Sequence, residues 1–284
     1  MKKIGIVVNP ERDPGYEYTA KTVAYLQKNG FDVFLQQNVP SVSGVMIPDE
    51  ETFFSSVEAV VTLGGDGTVL RIAQKASMYQ TPVLGINLGH LGYLTQLEKD
   101  DLEQLADILN TCTGVEQRFM LRARIVDGAG QEQAFYALNE VVLGRQIVNN
   151  MLHASLYSNG EFIYKFSCDC LIFATPTGST AYSMSSGGPI ADCRLQDIVI
   201  FTPVCEHSFF SKSMIFSASD TLACEVERHA ESTFLIIDGK TVCSMDQVQR
   251  VIIDRSPYAL PLFQTDGDRF YKVLNKKFSA GGNI

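Results

Sequence analysis

Runs of apolar residues alternate with amphipathic stretches over the first 110 residues. Lys2 to Asn9 reads as a buried strand, and Glu17 to Asn29 as a helix with Ala20, Val23, Ala24 and Leu26 along one side. Gly30 then occupies the place of a helix C-terminal glycine. Asp32 to Leu35 is a second strand and Val57 to Leu63 a third, broken by Gly64-Gly65. A helix is expected from Thr68 to Ser77, a buried strand from Pro82 to Leu88, and a charged-faced helix from Asp100 to Asn110. Strands alternating with helices imply a parallel sheet covered on both faces.

After about Gly114 the pattern shortens to strand-length runs. They fall at Arg122 to Val126, Ala134 to Leu143, His153 to Tyr157, Phe162 to Phe166 and Cys170 to Ala174. Others follow at Ile198 to Thr202, Thr221 to Val226, Thr233 to Ile237 and Arg250 to Ile253. Asn159-Gly160 between two of them is a hairpin turn, because both residues accept positive φ. Tyr271 to Phe278 reads as a short helix. The fold class is therefore an α/β N-terminal domain with a parallel sheet (1–113) and a β-rich C-terminal domain (114–256), with a tail (257–284) expected to pack back on the first.

Composition narrows the function classes. At 284 residues and 45% hydrophobic content the chain can bury a substantial core, and no apolar run approaches the ~20 residues that span a bilayer. The formal charge is −9 and neither half is basic, which argues against a nucleic-acid partner. Met1-Lys2-Lys3 runs straight into a strand with no signal-peptide pattern, so a cytoplasmic address is expected. The seven cysteines form no Cys-x-x-Cys and have no zinc-type spacing with His90, His153, His207 or His229; buried, reduced thiols are expected.

Two segments carry chemistry. In Leu63-Gly64-Gly65-Asp66-Gly67-Thr68 a buried strand feeds glycines that let a phosphate approach backbone at a helix entrance. Asp66 suits a base facing a hydroxyl; the competing role is a helix cap. No Walker-type loop and no G-x-G-x-x-G is present. Thr175-Pro176-Thr177-Gly178-Ser179-Thr180-Ala181-Tyr182-Ser183-Met184-Ser185 is rich in hydroxyls and free of charge, and suits a nucleotide's ribose and base. A Ser/Thr-rich surface loop is its plain alternative.

Those two segments, together with Asn87-Leu88-Gly89-His90-Leu91-Gly92-Tyr93-Leu94 and Asn139-Glu140, occur in the order seen in NAD kinases. The chain resembles a bacterial member of that family from Lys2 to Lys277. The resemblance implies phosphoryl transfer from ATP or polyphosphate to the adenosine ribose 2′-hydroxyl of NAD, giving NADP, with a divalent metal, Mg²⁺. It makes Asp66 the general base, lays Gly67 against the dinucleotide, and gives Arg71 to the pyrophosphate unless it is a solvated helix charge. It assigns Asn139 and Glu140 to the adenosine ribose, and Thr180, Ala181, Tyr182 and Ser185 to the adenine and nicotinamide ends. Tyr182 would stack on a ring or else sit in the core. Asp169 is expected to bond a ribose or carboxamide, and a homodimer or homotetramer is implied, with no membrane partner.

The chain departs from the family pattern in places. Cys168-Asp169-Cys170-Leu171 stands where the family usually has Gly-Asp-Gly-Leu, and the two thiols are expected to share a strand face as apolar packing. Ser167 replaces a common basic residue, Glu206 a common proline, and Lys240 a common Gln or His. These leave the choice between NAD and NADH open. A lipid kinase with the same Gly-rich loop, or a non-catalytic NAD(P) sensor, are the competing readings.

Overall fold

The computed structural model describes residues 2–37, 39, 42, 44–111, 114–126, 131–145, 151–206, 212–227, 233–245, 248, 250–264 and 269–281. Cys112, His207 and His229 lie outside them. The chain divides into two compact units, residues 1–117 with 259–284, and residues 118–258.

The first unit opens with β1 (Lys3–Val8), α1 (Glu17–Lys28), β2 (Asp32–Leu35) and β3 (Val45–Met46). It continues with α2 (Glu50–Ser56), β4 (Ala59–Gly64), α3 (Asp66–Met78), β5 (Val83–Asn87) and β6 (Leu97–Glu98). The expected helix from Asp100 to Asn110 is instead a 3₁₀ segment, Lys99–Gln104, running into α4 (Leu105–Thr111). β7 (Val115–Arg118) follows.

The second unit contains β8 (Leu121–Val126), β9 (Glu132–Ala137), β10 (Glu140–Arg145), β11 (Leu152–Ser158), β12 (Glu161–Cys168) and β13 (Cys170–Ala174). The run expected as one strand from Ala134 to Leu143 is thus two, interrupted at Leu138-Asn139. A 3₁₀ turn, Thr177–Thr180, leads into the one-turn helix α5 (Tyr182–Ser185). Then come β14 (Ile198–Val204), β15 (Met214–Ser217), β16 (Leu222–Val226), β17 (Thr233–Ile237), β18 (Lys240–Ser244) and β19 (Arg250–Arg255). The chain returns to the first unit through β20 (Leu260–Phe263) and α6 (Arg269–Gly281).

The first sheet has the order β3-β2-β1-β4-β5-β20-β7, with β6 on β5, and its pairings from β3 to β20 are parallel. Ile4, Ile6, Val8, Val61, Leu63, Leu84 and Ile86 turn one face toward Val23 and Leu26 of α1 and Leu105 and Leu109 of α4. The alternate residues Val7, Val60 and Val83 are buried too, so both faces are covered. Strand order reverses between β1 and β4, and ligands of open α/β sheets bind at the carboxyl ends of strands beside such a switch.

The second unit holds two antiparallel six-stranded sheets, β15-β14-β13-β10-β17-β18 and β12-β11-β16-β19-β8-β9. Their shared core includes Leu143, Phe166, Phe173, Phe201, Leu235 and Val251. Asn159 and Gly160 have φ of 52° and 87°, as the two-residue turn joining β11 to β12 requires.

One short element escapes the periodicity. α2 has only seven residues, but Asp49 caps it, accepting from the Thr52 backbone N–H and hydroxyl at 2.8 and 2.6 Å. Its Phe53 is fully buried, packing edge-on to Phe54 at 5.3 Å. Phe53→Ala is expected to destabilise the fold by about 3–5 kcal/mol, read as a lower urea midpoint.

Candidate active site

The cleft at the switch point is built from three strand ends. Asn9 and Arg12 follow β1, Gly64 ends β4 with Gly65 to Thr68 after it, and Asn87 ends β5 with Gly89, His90, Leu91 and Gly92 after it; Lys277 of α6 completes a space of ≈ 270 Å³. Asn9 N–H donates to the Leu63 carbonyl at 2.9 Å and Leu88 N–H to the Gly64 carbonyl at 2.7 Å, tying the three loops together. α3 begins at Asp66 itself, two residues before the expected start.

Asp66 is half-buried, and its carboxylate accepts the backbone N–H of Tyr93 on Oδ2 and of Leu94 on Oδ1, both at 2.8 Å. This fixes the side chain in the cleft rather than over its own helix N-terminus, against the cap alternative. The approach is so close that a Cβ on Gly92 would lie 2.1 Å from Asp66 Oδ1. Gly67 is different: a Cβ there would meet nothing within 4 Å, although glycine in a helix is intrinsically unfavourable. Arg71 is exposed, and its Nη2 donates to the Val8 carbonyl at 3.0 Å rather than lining the cleft.

In the second unit Asn139 and Glu140 are brought beside the Thr175 to Ser185 segment. β10 lies between β13 and β17, with Glu140 opposite Ala174 and Val141 opposite Ile237. The pair therefore sits at a strand start, where neighbouring residues need not point to opposite faces. Thr175 N–H donates to the Asn139 carbonyl at 2.8 Å, and the Thr175 hydroxyl to the Leu138 carbonyl at 2.6 Å. A Cβ on Gly178 would lie 2.1 Å from the Asn139 carbonyl oxygen, so that glycine is demanded by packing.

The hydroxyl-rich segment divides by burial. Thr175, Ser179 and Ser183 are buried and bonded internally, Ser179 with Ala191 and Ser183 with Thr202. Thr180 and Ala181 remain partly exposed, and Tyr182 and Ser185 are exposed. Tyr182 is 44% exposed and not a core residue. Its hydroxyl lies 3.5 Å from Cys170 Sγ; that contact, then burial, pushes its pKa up to about 12.

Asp238 was not among the residues expected from the sequence. Its carboxylate accepts the backbone N–H groups of Leu138, Asn139 and Glu140 at 2.9, 2.8 and 3.0 Å. Glu140 lacks such support: it is 6% exposed and its Oε2 has no hydrogen-bond partner. Burial first, then the nearby Asp238 charge, raise its pKa to about 8, opposed by a hydrogen bond from the Tyr182 backbone. Asp169 forms an ion pair with Arg145.

Cys168 and Cys170 do not share a face. The bend at Asp169 separates β12 from β13, so Cys168 joins the core between the two sheets and Cys170 a cluster with Val142, Ile172 and Ile200. Both are buried, free thiols whose pKa burial raises, which fits the packing role. Among the described cysteines Cys205 is exposed, contrary to the general expectation of burial. Ser167 Oγ lies 2.8 Å from His153 Nδ1, and its N–H donates to Glu206. Arg12, His90 and Lys277 were also missed as site residues; their nearest signal was the family-like run from Asn87 to Leu94 and the Lys276-Lys277 tail.

The geometry matches known proteins over nearly the whole chain. Residues 4–113 match the ATP-NAD kinase N-terminal domain and residues 138–265 the ATP-NAD kinase C-terminal domain. An NAD kinase of Caldanaerobacter subterraneus subsp. tengcongensis is 31% identical over 98% of this chain and 99% of its own length. One of Symbiobacterium thermophilum is 33% identical over 99% and 100%. The yeast NADH kinase crystallised with NADH has the same fold, with a TM-score of 0.89 at 20% identity, covering 100% of this chain and 89% of that one. An NAD kinase from Archaeoglobus fulgidus crystallised with ATP gives a TM-score of 0.77 at 25% identity, covering 96% and 98%. The chain is a two-domain kinase of the ATP-NAD kinase type. It belongs to the NAD kinase family, and the lipid-kinase and sensor readings are not favoured.

Glu140 gives a test of the site's electrostatics. Unfolded, its carboxyl titrates near the ordinary 4.5; folded, at about 8. The folded state therefore binds more protons across that window, and stability falls as pH rises through it. Glu140→Gln removes the effect. Its unfolding free energy should match that of the unsubstituted protein at or below pH 4.5 and exceed it at pH 8, the gap growing by up to about 1.4 kcal/mol per pH unit crossed, as read from urea midpoints.

Proposed function

We propose that this NAD kinase moves a phosphoryl group from ATP or polyphosphate to the adenosine ribose 2′-hydroxyl of NAD, with Asp66 as general base. The observation that carries this reading is the carboxylate clamped by Tyr93 and Leu94 N–H at the switch-point cleft. Each oxygen keeps a lone pair for the hydroxyl proton, and the rotamer is set before substrate arrives. A ribose hydroxyl is a poor nucleophile, so a carboxylate about 3 Å away assists as the phosphorus is attacked. Gly67 offers an open backbone surface against which the dinucleotide can lie.

Asn139, Glu140, Thr180, Ala181, Tyr182 and Ser185 would contact the nucleoside portions, and Asp169 a ribose or carboxamide. Arg71 would offer the pyrophosphate its guanidinium donors beyond the one on Val8. ATP as donor is supported by the Archaeoglobus fulgidus relative crystallised with it. No group of three or more His, Cys, Asp or Glu side chains suited to a metal occurs among the described residues. Mg²⁺ carried on donor phosphates fits that, because it needs only one or two protein carboxylates, and Asp66 is the carboxylate lining the cleft. Bound there, the ion would offset phosphate charge.

A cytoplasmic homodimer or homotetramer belongs to the same reading. No described helix is long and apolar enough to cross a membrane. Ile215 on the edge strand β15 and Phe162 on the edge strand β12 are each 59% exposed, apolar surface that a subunit contact would cover.

Purified protein with NAD, ATP and Mg²⁺ should form NADP, measured by chromatography. Asp66→Asn should lower kcat by about 10²–10⁴-fold. No NADP from either donor overturns the activity, and a near-normal rate in Asp66→Asn overturns the base. Gly67→Ala should keep or slightly raise the thermal midpoint, because alanine favours the helix by about 1 kcal/mol, while raising KM for NAD.

A further inference from the structure

Three side chains of basic residues line the switch-point cleft together with one carboxylate, Asp66. They come from distant parts of the sequence: Arg12 after β1, His90 after β5, and Lys277 on α6. Arg12 and Lys277 are exposed, and among the described residues neither is in an ion pair. On a chain of net charge −9 such unpartnered cations are surrounded by potential carboxylate partners elsewhere, yet these two face backbone and an aromatic ring.

Each is held there by built structure. Arg12 sits in a turn closed by its N–H to the Asn9 carbonyl at 3.0 Å, followed by buried Asp13, which accepts from the Thr19 hydroxyl at 2.6 Å. Its guanidinium lies over Gly89, where a Cβ would come within 3.0 Å of Nη1. Lys277 is delivered by α6, whose first residue, Arg269, donates to the Thr95 carbonyl at 2.8 Å and pairs with Glu98 at 3.1 Å. Eight residues on, about 12 Å along the helix, the Lys277 ammonium sits 4.4 Å from the centroid of the Tyr93 ring. Tyr93 is the same residue whose N–H binds Asp66.

We propose that Arg12 and Lys277 form the subsite that grips the phosphate chain of the donor in front of Asp66. The inference rests on the kinase reading above and assigns two residues to it. The Arg12 fork is preorganised to bind two phosphate oxygens at once. The Lys277 ammonium, on a flexible stem, leaves the Tyr93 face for a stronger charge partner. Its withdrawal frees no hydrogen bond, since a cation over a ring has none to lose. The donor's phosphate chain is the anion assigned, because the group transferred must reach the hydroxyl beside Asp66, which lines the same cleft as the two cations; capture of the NAD pyrophosphate is the opposing outcome of the test.

The test is steady-state kinetics of Arg12→Gln, Lys277→Gln and the double variant, with NAD and ATP·Mg²⁺ varied separately. KM for ATP should rise about tenfold in each single variant and further in the double, with KM for NAD changed less than twofold. Lys277→Arg should recover most of the loss, and Lys276→Gln, an exposed neighbour outside the cleft lining, should behave as the unsubstituted protein. Unchanged KM for ATP in both single variants overturns the proposal. So does a rise confined to KM for NAD, which would give the cations to the acceptor. Calorimetric titration with inorganic tripolyphosphate separates this from the kinase reading. If no NADP forms with any donor but tripolyphosphate binds and the double variant loses at least tenfold in affinity, the subsite stands and the activity reading fails. Equal binding by both proteins overturns the subsite.

Discussion

The hydrogen bonds from Tyr93 and Leu94 N–H to the Asp66 carboxylate are the interaction on which the first unit's site depends. A carboxylate that accepts two backbone donors cannot swing, and charge-assisted bonds of this kind are among the strongest a loop can make. They join the end of β4 to the segment after β5, two strands already paired in register from Val60–Val83 to Gly64–Asn87. Gly92 follows as a consequence, because no side chain fits beside the clamped carboxylate. The ring of Tyr93 is then fixed as a resting place for Lys277 and packs at 5.9 Å from Phe270 of α6. One buried-edge carboxylate thereby sets the positions of a loop, a ring and a cation.

The second unit solves the same problem with Asp238. Strand β9 ends and β10 begins within three residues, leaving the N–H groups of Leu138, Asn139 and Glu140 without ladder partners. Unpaired backbone donors are costly when buried, and one carboxylate from the end of β17 satisfies all three. The Thr175 backbone and hydroxyl satisfy carbonyls of the same turn. The break in the strand is what presents Asn139 and Glu140 together, and it is stable only because a residue 98 positions away supplies the acceptor.

Much of this was legible in the sequence where the physics is local. The alternation of β1, α1, β2, β4, α3 and β5 is written in apolar periodicity, and Asn159-Gly160 specifies its own turn. α2 was not legible, because seven residues are too few for a helical period and its capping by Asp49 is a subtler mark. The Ala134 to Leu143 run hid its break, since Leu138 continues the apolar pattern and the cause, Asp238, is remote. Arg12 and Lys277 were invisible as site residues for the same reason: only strand order brings the loop after β1 and the last helix to one cleft. The Cys168–Cys170 spacing misled through an assumption of continuous strand that the bend at Asp169 breaks.

The chain is acidic, and the carboxyl groups of its motifs differ in how their negative charge is met. Asp238 shares its charge among three N–H donors. Asp169 is matched by Arg145. Glu140, buried with an unpartnered oxygen and a pKa of about 8, keeps its proton at neutral pH. A protonated Glu140 is a hydrogen-bond donor as well as an acceptor, which is compatible with the ribose contact proposed for it. Asp66 stands apart: its two N–H partners hold its geometry while its partial exposure leaves lone pairs for a proton. The overall field of −9 is thus answered group by group, and the carboxylate left open toward the cleft is the one proposed as the base.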